Sequence, residues 1–116
     1  MTTHLAIGRY GEQIAAEWLV ANGFSIMHAN WRYGRKEIDL IATKSGTLHI
    51  IEVKTRRGKD FGPPEEQVTR RKLKYLQEAA SAYQEEYPQW RKIQFDILSI
   101  ILEPGRTMME LLEDIS

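Results

Sequence analysis

The chain contains no cysteine among its 116 residues. That excludes a disulfide framework and any thiolate metal site, and it fits a reducing compartment. Histidine is scarce: His4, His28 and His49 show no ligand spacing, so each is expected at the surface or half-buried rather than on a metal. No long hydrophobic run exists. The longest, residues 97–102, has Ser99 inside it and is far too short to span a bilayer. Residues 1–10 lack the apolar core of a signal peptide, so a cytoplasmic protein with no membrane partner is expected. P-loop, dinucleotide-binding and Gly-x-Ser-x-Gly patterns are also absent. Net charge is zero, with 16 Lys and Arg against 16 Asp and Glu, which argues against a protein that coats nucleic acid indiscriminately. A chain of this length suits one domain with one core, spanning residues 1–116.

The balance in total charge hides a local imbalance. Residues 54–74 hold eight basic residues against three acidic ones. A basic patch on a neutral protein fits a site for a polyanion. Arg56, Arg57, Arg70, Arg71 and Lys74 are the expected phosphate contacts.

The patch adjoins the stretch that organises the chain, residues 37–57. It reads as two apolar strands joined at Ser45-Gly46, a turn signal between β-branched runs. Asp39 sits between Ile38 and Leu40, and Glu52 between Ile51 and Val53. Burying an unpaired carboxylate in such a run costs several kcal/mol, so a purely structural strand would avoid it. The period of 2 along a strand puts Glu52 and Lys54 on one face, and Glu37 with Asp39 on one face. If the strands form a hairpin, Asp39 meets the Glu52–Lys54 pair. Two acids and a lysine meeting in an apolar sheet suggest a divalent-metal site with an attendant cation.

Around this stretch the pattern alternates between helix and strand. Residues 3–22 read as a helix with an apolar stripe of Ile7, Ile14, Ala15, Trp18 and Leu19, ending at Asn22-Gly23. Gly8 and Gly11 each cost it about 1 kcal/mol relative to alanine, so close packing, a ligand or a frayed first turn is expected there. Glu12 borders the stripe; taken alone it reads as a solvated acid. Residues 24–32 predict a strand with Phe24, Ile26 and His28 on one face and Met27, Ala29 and Trp31 on the other. The basic, glycine- and proline-bearing residues 57–64 read as a loop. A second helix is expected to start between residues 64 and 69 and to end before Pro88, with Val68, Leu76, Ala79, Ala80, Tyr83 and Tyr87 as its apolar face. Residues 93–102 predict a central strand, interrupted by Asp96 as a structural acid paired with a base. The tail reads two ways: Thr107-x-x-Glu110 resembles a capping box, and residues 108–112 an edge strand.

Asp39, twelve intervening residues, then Glu52-Val53-Lys54 resembles the PD-(D/E)xK nuclease signature, with Ile38 at the proline position. More of the chain agrees. Gly8-Arg9-x-Gly11-Glu12, Gly23-Phe24, Asn30-Trp31-Arg32, residues 37–42, residues 52–56 and Phe95-Asp96-Ile97 resemble, in order, the motifs of the bacterial YraN family. That family is grouped by similarity with the archaeal Holliday-junction resolvases. The resemblance departs at Lys36 and Gln94, where glycine and a basic residue are usual, and in the tail. It implies an α/β, restriction-endonuclease-like fold: a mixed sheet flanked by helices, in the order α-β-β-β-α-β before the ambiguous tail.

It also implies a nuclease site at Asp39, Glu52 and Lys54, and adds Glu12 at the position of the resolvases' helix-borne acid. Mg²⁺, or Mn²⁺ in its place, suits such oxygen ligands. Asp39 and Glu52 are the expected metal carboxylates, the Val53 carbonyl a third oxygen and Glu12 a further candidate. Lys54 is expected to orient or help deprotonate the attacking water and to offset charge in the transition state. The reading is a metal-dependent DNA endonuclease acting on branched or structured DNA. Its rivals are a non-catalytic nucleic-acid-binding protein that keeps the fold, and a domain in which Asp39 and Lys54 are only a buried ion pair. DNA is the expected partner, with homodimerisation left open.

Overall fold

The computed structural model describes residues 4–57 and 69–115. In chain order these form α1 (His4–Ala21), β1 (Ser25–Tyr33), β2 (Lys36–Lys44), β3 (Thr47–Arg57), α2 (Arg70–Glu86), β4 (Lys92–Glu103) and β5 (Arg106–Leu112). The five strands make one sheet in sequence order. The neighbours pair antiparallel except β3 and β4, which run parallel. A parallel pair cannot be closed by a tight turn, and α2 lies in the crossover that joins them. The mixed sheet with two helices agrees with the expected fold class.

Local chemistry sets the elements. Ser45 and Gly46 both take left-handed φ, 51° and 79°, as a two-residue hairpin turn requires. The turn closes β2 on β3 at Lys44 and Thr47. The Thr69 side chain caps α2 by accepting from the Lys72 amide at 3.2 Å. The helix stops at Glu86, two residues before Pro88. None of the described helices is long and apolar enough to cross a membrane.

Each face of the sheet carries one helix. Ala15 and Leu19 of α1 pack with Phe24, Leu40, Ala42, Ile51, Leu98 and Ile100. Leu76, Ala79, Ala80 and Tyr83 of α2 pack with Ile38, Ile41, Leu48 and Ile50 on the other face. Burying each large aliphatic side chain here contributes about 1.5–3 kcal/mol relative to leaving it exposed. β4 lies between β3 and β5, the central place that its apolar run predicts.

One expectation in the sheet needs correction, and one open choice is decided. Ile26 packs on the α1 side, but the β1–β2 register slips between Ile26 and His28. His28 therefore faces α2, with its Nδ1 3.0 Å from the Tyr83 hydroxyl. Trp31 lies on that same side, its ring 5.2 Å from Tyr83. A bulge reverses the side-chain alternation beyond it, and a simple period of 2 cannot anticipate that. In the tail, Thr107 and Glu110 cap no helix; the strand reading holds. β5 pairs with β4 from Glu103–Arg106 to Ile97–Leu112, and Met109 and Leu111 pack on the α1-side core. A ten-residue helix is marginal by itself, whereas the hairpin satisfies the backbone of the whole segment. Val68 and the loop at residues 58–64 lie outside the described residues.

Candidate functional site

The site forms where the sheet's regular pairing is interrupted. β2 and β3 pair from Lys44–Thr47 as far as Leu40–Ile51. On the other side, β1 and β2 pair at Ala29–Leu40 and again at Trp31–Ile38, skipping Asn30 and Asp39. Ile38 packs toward α2 and Leu40 toward α1, so the alternation breaks at Asp39. Asn30, opposite it, has a φ of 54°. Val53, which continued pairing would set across from Ile38, gives its amide to Asp39 Oδ2 at 2.8 Å. The carboxylate thus replaces a ladder partner, and groups from both sheet faces can interact with it.

From the α2 face come Glu52, Lys54 and Lys72. The Glu52 side chain is only 8% exposed, and its Oε1 lies 2.5 Å from Lys72 Nζ and 3.4 Å from Lys54 Nζ. Glu52 and Lys54 share a face as the strand period predicts. Lys72 arrives from the first turn of α2. Sequence reasoning counted it in the basic run and did not place it in the site, yet a signal was there. Lys72 precedes Leu76, Ala79 and Tyr83 by four, seven and eleven residues, so it falls on the buried stripe of α2.

From the α1 face comes Glu12, half-buried beside Asn30 and Leu40 in a cleft of about 360 Å³. Its carboxyl lies within electrostatic reach of Asn30, Glu37, Asp39 and Glu52. Gly11 explains how α1 comes so close. A Cβ at that position would collide with the Thr55 hydroxyl of β3, so glycine lets the helix seat Glu12 against the break. Of the three readings of this glycine, close packing is the one observed.

Crowded acids shift one another's protonation. Burial, then the neighbouring Glu52 charge, push the Asp39 carboxyl up to about 7 against the lowering effect of the Val53 amide. Burial likewise raises Glu12, with Glu37 and Glu52 adding to it. Burial lowers Lys54, opposed by Glu52 and reinforced by the nearby Lys72 charge. For Lys72 burial acts downward too, but the hydrogen bond and charge of Glu52 outweigh it and leave Lys72 raised.

The structure brings Glu12, Asp39, Glu52 and Lys54 to one place. It separates the five expected phosphate contacts. Arg56 continues the Glu52–Lys54 face along β3, its guanidinium 3.3 Å from the Ser99 hydroxyl. Arg71 lines a cleft beside Lys72. Arg57 lines a different one with Leu102, Glu103 and Pro104. Arg70 and Lys74 are exposed, and at 100° per residue they fall on the side of α2 away from Lys72 and Leu76.

A second polar cluster lies toward the other end of β3. His49 Nδ1 is 2.6 Å from Asp96 Oδ2, which supplies the base expected beside Asp96. With Glu113 these form the group of His and acid side chains, among the described residues, whose ligand atoms lie within 4.8 Å of one another. Glu12, Asp39 and Glu52 form no such group. His49 is buried, contrary to the surface or half-buried place expected for the histidines. Both Asp96 oxygens already have partners: Oδ1 accepts from Gln94 Nε2 at 2.9 Å and from the Asp114 amide at 3.0 Å.

Comparison with known proteins matches this arrangement to one family. The family model described as "Uncharacterised protein family UPF0102" matches residues 11–100, a span holding Glu12, Asp39, Glu52, Lys54 and Lys72. A UPF0102 protein of Phocaeicola vulgatus is 36% identical over 114 residues, covering 98% of this chain and 94% of the relative. One from Syntrophomonas wolfei is 41% identical, covering 87% and 89%. One from Nocardia farcinica is also 41% identical, covering 86% and 80%. The chain belongs to the UPF0102 family, the YraN family that its motifs resemble.

Proposed function

We propose that this protein is a divalent-metal-dependent endonuclease that hydrolyses phosphodiester bonds of DNA, with branched or structured DNA as its substrate. The observation that carries the reading is the break at Asp39. There a half-buried carboxyl is pushed up to about 7 beside Glu52, with Glu12 on one side and two lysines on the other. An aspartate placed only for stability would be surrounded by donors. This one has acidic neighbours that a cation would relieve.

The donor set fits a hard cation. Asp39 and Glu52 offer carboxylate oxygen, Val53 a backbone carbonyl and Glu12 a further carboxylate, and such ligands suit Mg²⁺ or Mn²⁺. When bound, the metal supplies charge neutralisation at the phosphate and an acidified water. The protein's own residues do the rest. Asp39 and Glu52 hold position because the strands that carry them are fixed by the core on both faces. Lys54, on the same strand face as Glu52, orients the attacking water and offsets charge as its oxygen bonds to phosphorus. The phosphorus–ester oxygen bond breaks as the water's oxygen bonds, and the leaving oxygen takes up, through solvent, the proton that the water gives up. Arg56 and Arg71 flank the break and can hold neighbouring phosphates. The resolvase likeness of the motifs supports branched DNA as the substrate.

The test is incubation with linear, flap and four-way-junction DNA in Mg²⁺, Mn²⁺ or EDTA. Cleavage that needs metal and favours the branched forms is expected. Tight, salt-sensitive binding without cleavage would select the non-catalytic reading. No binding at all would leave a buried ion-pair cluster.

A further inference from the structure

Glu52 Oε1 is approached by two ammonium groups, and they differ in how they are held. Lys54 is a β3 residue, its side chain 22% exposed, with its backbone fixed in the parallel ladder opposite Ser99 of β4. Lys72 reaches the same oxygen from α2, is closer at 2.5 Å, and remains 37% exposed. Its open side borders a cleft of about 320 Å³ lined by Lys36, Glu37, Thr69, Arg71, Tyr75 and Leu76. Lys36 Nζ lies 3.8 Å from the centre of the Tyr75 ring. Three of the cleft's residues, Lys36, Arg71 and Lys72, are cationic. Glu37, the one acid among the described residues that line it, is paired with Arg32 at 3.1 Å.

A divalent cation on Glu52 and an ammonium in contact with the same oxygen repel strongly in a partly buried place. Metal uptake must therefore move one lysine. Lys72 is the one free to go, because a flexible four-carbon stem can carry its ammonium into the cleft without any backbone movement. We infer that Lys72 is an exchangeable cation: it holds Glu52 while the centre lacks metal, and metal uptake releases it into the adjacent cleft, where with Lys36 and Arg71 it binds a DNA backbone phosphate. This inference rests on the nuclease reading. It adds a positioning residue and a phosphate subsite, and makes metal and DNA binding mutually reinforcing. By linkage, DNA must then raise metal affinity by the same factor that metal raises DNA affinity.

Calorimetric titration of the full chain with CaCl₂, without DNA, tests the first half. Lys72→Met removes the competing charge, so calcium is expected to bind about tenfold more tightly than in the wild type, the scale of one charge-assisted hydrogen bond lost. Lys72→Gln gives a second neutral variant should Lys72→Met not fold. Lys72→Arg, which keeps the charge, should stay within about twofold of wild type. Anisotropy titration with four-way-junction DNA tests the second half. Calcium should raise wild-type affinity relative to EDTA, and that gain should shrink at least about threefold in the neutral variants. Equal or weaker calcium binding in the neutral variants overturns the inference and leaves the nuclease reading standing. A wild type that binds no divalent cation removes both.

Discussion

Asp39 and Asp96 are aspartates within one sheet, and their surroundings are opposite in kind. Asp96 is met by donors on both oxygens: the His49 ring, the Gln94 amide group and the Asp114 backbone amide. Facing a carboxylate, His49 Nδ1 carries the proton and donates it. The same region fastens the chain's end, where the Ile115 amide donates to the Phe95 carbonyl at 2.8 Å. Asp39 receives the Val53 amide and feels the Lys72 charge, but burial and the acids Glu52 and Glu12 outweigh both and push it up to about 7. A carboxylate surrounded by donors acts as a structural tie; one crowded by like charges is the kind that the proposed metal centre requires. Asp96 is fully buried and Asp39 half-buried, but it is the neighbours that set the two apart.

The sharpest way to break this comparison is catalysis. Asp39→Asn and Glu52→Gln should lower cleavage by about a hundredfold to a thousandfold or more, as loss of a group acting on the reacting phosphate does. DNA affinity should hold or rise, since each change removes a negative charge near phosphate. Asp96→Asn, measured where it is folded, should keep wild-type turnover. Parallel cleavage and anisotropy assays decide it, and full activity in Asp39→Asn would place the chemistry elsewhere.

The next effect is stability, and here the two aspartates should differ in sign. Asn at 96 offers one acceptor oxygen to donors that now use two, so Asp96→Asn should cost about 2–3 kcal/mol. Asp39 is raised from 3.8 to about 7, so between those values the folded protein holds a proton that the unfolded chain has released. Metal-free stability therefore falls as pH rises through that window, and the penalty is complete above about 7. Asp39→Asn should flatten this slope and raise the melting temperature in EDTA at pH 8. Denaturation of both variants from pH 5 to 8 checks the pair. A lower melting temperature for Asp39→Asn at pH 8 would mean that its neighbours already stabilise the charge.

Much of this contrast was legible in the residues themselves. The Ser45-Gly46 turn fixed the register that lines up Asp39 with Glu52, and the strand period put Lys54 beside Glu52. Asp96 was readable as a paired structural acid because it stood alone in an apolar strand. What escaped depended on irregularity or on distance along the chain. The slip at Met27 flips the alternation of β1 at His28, and the left-handed Asn30 flips it back before Trp31; local alternation carries no sign of either. Lys72 lay hidden in a basic run because charge was weighed before helical position. The burial of His49 follows from Asp96, 47 residues away, a partnership only the β3–β4 pairing creates.

The smallest expected effect concerns Glu12, the acid whose role depends most on its neighbour. Alone on α1 it would be a solvated helix acid, and Glu12→Gln would then be silent within about 0.5 kcal/mol. The structure instead presses α1 onto Thr55 at Gly11 and sets Glu12 within electrostatic reach of Asp39. Removing its charge relieves Asp39, so the metal-free protein should melt at an equal or slightly higher temperature, and Asp39 should titrate lower. The cation then loses one of its acidic neighbours, so the metal titration of cleavage should shift to higher concentration. The two readouts move in opposite directions for one cause, stability up and metal affinity down, and loss of a purely structural acid would lower stability alone. Unchanged metal response in Glu12→Gln, alongside wild-type melting in EDTA, would confine the centre to Asp39, Glu52 and the lysines.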